Sequence, residues 1–151
     1  MKVADLCSHS AVTVKRRDEV VTAARLMREH HVGFIVVVEP LELGPGVRPI
    51  GVVTDRDIVI AIVAEGEDPQ RVIVGDLMTE NPVVIEDSAL VGVAIHKMRK
   101  FGVRRLPVIG SHGQLIGVLS LDDVLEWLST DLHALAETCR NERRVEKAMR
   151  D

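Results

Sequence analysis

Aromatic side chains are nearly missing from these 151 residues, which hold one Trp, two Phe and no Tyr. Single-stranded nucleic acid is gripped largely by stacking on aromatic rings, so that class of partner loses its platform. A basic excess is missing too. Nineteen Lys and Arg stand against 23 Asp and Glu, a net charge of −4, whereas counterion-release binding to phosphate backbones needs a concentrated cationic surface. No nucleic-acid partner is expected. Cysteine is scarce: Cys7 and Cys139 lie far apart and make no CxxC spacing, so neither a disulfide framework nor a zinc ribbon is indicated. No apolar run approaches the roughly 20 residues of a membrane-spanning helix. The opening residues, with Lys2 and Asp5, lead into no apolar signal-peptide core. These absences lead us to expect a cytoplasmic protein with no membrane partner.

Catalytic signatures are also lacking. Walker A and GxGxxG are absent, as is a strand–turn–helix Ser elbow. Asp122 and Asp123 are adjacent, so on a helix they point in different directions and form no carboxylate dyad. Cys7-x-His9 with His30-His31 is a weak metal pattern without a matching second pair, and His96 and His112 read as surface residues. No catalytic residue, metal or cofactor is assigned, and an enzyme is not the expected class.

What is present is a repeat. Sliding the chain by 71 residues lays Ala4–Val38 over Gly75–Ile109 with nine identities in 35 positions, among them Asp5/Asp76, Leu6/Leu77, Ala23/Ala94 and Met27/Met98. The first copy then carries five extra residues between Glu39 and Pro49, after which Ile50–Ile58 aligns with Ile116–Val124. Each copy has a β-branched run (Val12–Val14; Val83–Ile85) and then a stretch with apolar residues at i, i+3, i+4 and i+7 (Val20, Ala23, Ala24, Met27; Val91, Ala94, Ile95, Met98). Two further apolar runs flank a turn, and a closing helix follows. The fold class is α/β (α+β), two βαββα repeats. One unit is too small to bury both sheet and helices, so the two should pack sheet to sheet. We place the first repeat at 1–66, with Glu65–Pro69 as linker, the second at 67–130 and a helical extension at 131–151.

The sharpest local pattern is Gly51-x-x-Thr54-x-x-Asp57, recurring as Gly117-x-x-Ser120-x-x-Asp123 where a strand meets a helix. The plain reading is a helix cap, a hydroxyl at the N-cap and an acid three residues on. Asp, however, is shorter than the usual Glu or Gln and should reach back to the N-cap amide poorly. The pattern also occurs twice, each time at a helix start whose free N–H groups favour phosphate. A hydroxyl that donates to phosphate and a carboxylate that accepts both ribose hydroxyls would together suit a nucleotide.

The tandem βαββα units and the strand-ending G-h-h-[ST]-x-x-D resemble the CBS domain pair, or Bateman module, over roughly residues 1–130. The resemblance implies a pseudo-two-fold axis and two clefts that bind AMP, ADP or ATP, or another adenosyl ligand such as S-adenosylmethionine or an NAD-type molecule. It implies a first cleft joining Thr54 and Asp57 to Pro82, Val83 and Val103-Arg104-Arg105-Leu106-Pro107. The backbone near Val83 would hold adenine, Asp57 the ribose, and Thr54 with Arg104 or Arg105 the phosphate. A second cleft would join Ser120 and Asp123 to Val12, Thr13 and Val32-Gly33-Phe34. There Gly33-Phe34 replaces the arginine pair, so the cleft lacks an evident phosphate anchor and the two sites should be unequal. Alone, Arg104-Arg105 could equally be a solvated pair.

The run Ile58–Ala64 is apolar on every side, and a helix of that kind needs burial on more than one side. It suggests a homodimer through the repeat helices, as the family's dimers imply. Leu132, Leu135, Ala136 and Cys139 continue an apolar stripe into the extension, either a terminal helix with a frayed end or an arm clasping a second protomer or target. With no effector domain beside the module, its output should act in trans on an unknown protein. The rival is a dimerisation module whose clefts stay empty.

Overall fold

A computed structural model describes residues 1–150 of the chain. A short 3-10 turn over Val3–Asp5 precedes β1 (Thr13–Lys15), α1 (Val20–His30), β2 (Phe34–Pro40), β3 (Val47–Thr54) and α2 (Asp55–Ile58). The second copy repeats the order after α3 (Val74–Leu77) and β4 (Thr79–Glu80), with β5 (Ile85–Glu86), α4 (Val91–Phe101), β6 (Arg105–Ile109), β7 (Leu115–Ser120) and α5 (Leu121–Arg150). This is the mixed α/β, twice-βαββα architecture of the sequence reading. In both sheets the first strand runs parallel to the second and the hairpin strand antiparallel.

Helices α1 and α4 bury Val20, Ala23 and Met27, and Val91, Ala94 and Met98, each on its own sheet. Both stop in a left-handed residue, His31 (φ 54°) and Gly102 (φ 65°). The next amides, of Val32 and Val103, bond back to Met27 O and Met98 O at 3.0 Å, which satisfies carbonyls the helix end leaves open. The β-branched run after α2 is helical but widens into a π-helix over Val59–Val63, while its counterpart in α5 stays α-helical.

Sequence repeat and packing unit do not coincide. Val3 and Cys7 lie in the core of the second repeat with Ile85, Leu106 and Leu119, whereas Val74 and Met78 lie in the core of the first with Ile35 and Val53. The chain is pinned there by Val3 N–H to Ala89 O at 2.8 Å and by Ser8 and Val118 exchanging two 2.9 Å bonds. In the same way β4 adds to the edge of β3, pairing Gly51 with Glu80. Each half therefore lends its opening segment to the other half's sheet.

This crossing explains the glycine of the repeated motif. A Cβ on Gly117 would stand 2.0 Å from Ser8 O, and one on Gly51 2.6 Å from Met78 Sδ and 3.1 Å from Thr79 O. Neither glycine has positive φ; what demands it is the close approach of the crossing strand. No helix among the described residues is long and apolar enough to cross a membrane.

Candidate functional site

Strand β3 ends on Thr54, which stays extended (φ −115°, ψ 161°) as the N-cap of α2. Asp57 N–H donates to Thr54 Oγ1 at 3.2 Å, and Thr54 N–H donates to Asp57 Oδ2 at 2.8 Å. The Thr54 hydroxyl donates to the same Oδ2 at 2.8 Å. Ser120 and Asp123 repeat all three bonds at 3.1, 2.9 and 2.5 Å. Asp therefore does reach the N-cap amide, contrary to the expectation from its length. The extended N-cap folds its own N–H back over the first turn, and the hydroxyl supplies a second donor to the same oxygen.

Two consequences follow. Oδ2 of each aspartate already accepts two hydrogen bonds, so the oxygen left to an incoming group is Oδ1, which keeps two lone pairs for ribose hydroxyls while the cap stays intact. The start of α2 also has no free amide: Asp55 N–H bonds Gly33 O at 3.2 Å, Arg56 N–H bonds Asp55 Oδ1 at 2.8 Å, and Asp57 N–H is taken by Thr54. The expected backbone phosphate cradle is absent, and anion neutralisation falls to side chains.

The structure gathers Thr54, Asp57, Pro82, Val83, Arg104, Arg105 and Pro107 around one cavity of about 720 Å³ between the repeats. Asn81, Phe34 and Arg56 line it as well; the sequence reading gave Phe34 to the second cleft only and did not include Asn81 or Arg56, although Arg56 stands inside the repeated motif. Arg104 is tied to Asp122 at 3.1 Å. Among the described residues Arg56 and Arg105 form no ion pair and are the cations free to meet a ligand.

A second cavity, of about 250 Å³, joins Ser120 and Asp123 to Val12, Val32, Gly33 and Phe34. Thr13 is not among its lining residues; it lies in β1, paired with Val36. Arg105 lines this cavity too, so the second cleft does have a cation on its wall. Phe34 and Arg105 are equivalent first residues of β2 and β6, and both border both cavities, which puts them beside the pseudo-axis. A third hollow of about 330 Å³, near Leu41, Arg48 and His112, contains none of the motif residues.

Cys7 is buried among apolar side chains, and that burial pushes its thiol above the ordinary value, which suits packing rather than nucleophilic chemistry. No three metal-ligating side chains gather anywhere among the described residues.

Two interlocked βαββα repeats with a capped Thr/Ser-x-x-Asp turn facing each inter-repeat cavity define a paired CBS module. The CBS domain model matches residues 3–64 and 74–130, and the chain belongs to that family. An uncharacterized protein of Methanopyrus kandleri is 32% identical over 126 residues, covering 83% of this chain; the chain spans 62% of that relative's length. Hypoxic response protein 1 of Mycobacterium tuberculosis is 30% identical over 133 residues, covering 88% of this chain and 87% of its own. A CBS domain protein from Pyrobaculum aerophilum, solved in complex with AMP, superposes with a TM-score of 0.71 at 28% identity, covering 86% of this chain and 99% of that one.

Proposed function

We propose that this protein is a non-catalytic regulator that binds an adenine nucleotide in its larger inter-repeat cleft and passes the event to a partner protein as a change of shape. The observation that carries the reading is the convergence of Thr54 and Asp57 from one repeat with Pro82, Val83 and Arg105 from the other on one cavity of about 720 Å³. That volume lies within the usual ligand-pocket range of ~300–1,000 Å³, and the second cavity, at about 250 Å³, lies below it. In this reading the backbone at Val83 meets adenine, Asp57 Oδ1 accepts a ribose hydroxyl, and Arg105 with Arg56 neutralises phosphate. The AMP complex of the Pyrobaculum aerophilum relative supports the ligand class.

A ligand held by both repeats favours the arrangement in which both contact it, and only such a difference in affinity shifts the population. The test is a thermal shift screen with adenosine, AMP, ADP, ATP and S-adenosylmethionine. A ligand at a hundredfold excess over its Kd adds ~2.7 kcal/mol, which raises Tm by roughly 5–10 °C for a domain of this size. If no adenosyl compound moves Tm, the reading fails.

A second reading, a homodimerisation module with empty clefts, draws on the apolar face of the π-helix, where Val59, Ile60 and Val63 are 55%, 52% and 71% exposed. Homodimerisation through this face is compatible with nucleotide binding. The two readings part in the ligand screen.

A further inference from the structure

Helix α5 runs 30 residues, about 45 Å at 1.5 Å per residue. From Ser129 onward its described side chains are exposed, so its second half leans on nothing in its own chain. Helices in proteins draw most of their stability from packing an amphipathic face, and this stretch includes Thr130, Thr138, Cys139 and Asn141, none a strong helix former. Its apolar residues are ordered nonetheless. Leu125, Leu128, Leu132, Leu135 and Cys139 follow at intervals of three, four, three and four, the 3.5-residue period of a two-stranded seam rather than the wider stripe of a helix on a sheet. Leu125, Leu132 and Leu135 are 54%, 65% and 64% exposed.

The charges say what covers this seam. Five acids and no Lys or Arg lie between Leu121 and Glu137, whereas four basic residues and two acids lie between Thr138 and Met149. A helix dipole favours that polarity only within its first and last turns, and here the segregation fills both halves. Two such helices side by side in parallel would set basic half against basic half. Reversed, each acidic half meets the other's basic half.

We propose that α5 is an arm that pairs antiparallel with α5 of a second copy of this chain, Leu132 meeting Leu135 and Leu128 meeting Cys139 across a two-fold axis between residues 133 and 134. In that register the four central layers are all apolar. The inference uses nothing of the ligand reading and stands or falls separately from it.

Disulfide trapping tests it on the full chain. Under mild oxidation Leu128→Cys should link to native Cys139 of the other copy and run as a dimer on a non-reducing gel. The unsubstituted protein should not, because its two Cys139 residues stand 11 residues apart along the pair, about 16 Å. A strong dimer band from the unsubstituted protein, or none from Leu128→Cys, overturns the proposal. A surface variant guards against misfolding at Leu128: spin labels on Lys147→Cys, in a Cys139→Ser background, should sit about 40 Å apart, the span of 27 residues. A separation near 20 Å, or no interspin distance at all, overturns it equally.

Discussion

The two clefts descend from one repeated unit, carry the same cap and the same three hydrogen bonds, and are unlike as binding sites. Around Asp57 the space is nearly three times that around Asp123, about 720 against 250 Å³. The difference does not come from the caps. It comes from what faces them: Asn81, Arg104 and Pro107 border only the larger cleft, whereas Gly33, Phe34 and Arg105 border both. The crossing segments differ as well: Met78, just before β4, meets Gly51 first through its side chain, whereas Ser8 presses its backbone carbonyl on Gly117. A duplicated motif therefore conserves a fold signal, and the residues outside it decide whether a ligand fits.

The largest expected effect separates the two glycines. Gly117→Ala would force a methyl against the Ser8 carbonyl at 2.0 Å, breaking the crossing bridge that holds Val3 and Cys7 in the second core. Overpacking with backbone displacement costs about 3 kcal/mol or more. Gly51→Ala meets first a thioether that can swing aside, and should cost about 1 kcal/mol. Urea denaturation of both variants measures the gap. Equal losses would show that the two crossings are energetically alike, and the asymmetry would then rest on the side chains that border only the larger cleft.

Much of this was legible in the sequence because a repeat reports its own symmetry. Which strands face which cap came from the family resemblance and not from the repeat itself; eight of the nine first-cleft residues line one cavity, and Leu106 lies in the second core instead. Illegible features were of two kinds. Strand crossing is long-range: nothing in Val3 or Cys7 announces that they belong to the core of the other half, since apolar spacing reports a buried face and not its owner. Local hydrogen-bond geometry is the second kind. That Asp57 reaches the Thr54 amide, and that every first-turn amide of α2 is taken, depends on the φ and ψ of a single cap residue. The sharing of Arg105 between clefts follows only from how close β6 comes to the pseudo-axis.

Next in size is the ligand effect of the caps. Asp57→Ala removes the Oδ1 acceptor and a cap bond in the larger cleft, and AMP affinity should fall at least tenfold, the ~1.5–3 kcal/mol of a charged hydrogen bond. Asp123→Ala should leave AMP affinity within about twofold while costing a similar ~1 kcal/mol of stability from the lost cap. Calorimetric titration alongside denaturation separates binding from folding. Parallel losses of affinity would mean that both clefts bind and that the volume difference decides nothing.

The smallest effect is the most discriminating, because Arg105 borders both cavities while Arg104 is held by Asp122. Arg105 is exposed, so its attraction for a phosphate is screened and worth about 1 kcal/mol, roughly fivefold in affinity. Arg105→Met retains much of the aliphatic stem and removes the charge. AMP should then bind about fivefold more weakly and adenosine unchanged, and raising the salt should narrow the AMP difference. If adenosine weakens as much as AMP, Arg105 is shaping the wall and not reading charge. If neither weakens, the phosphate is met by Arg56 or Arg104, the other cations on the larger cleft, and the inequality of the two sites owes nothing to the cation they share.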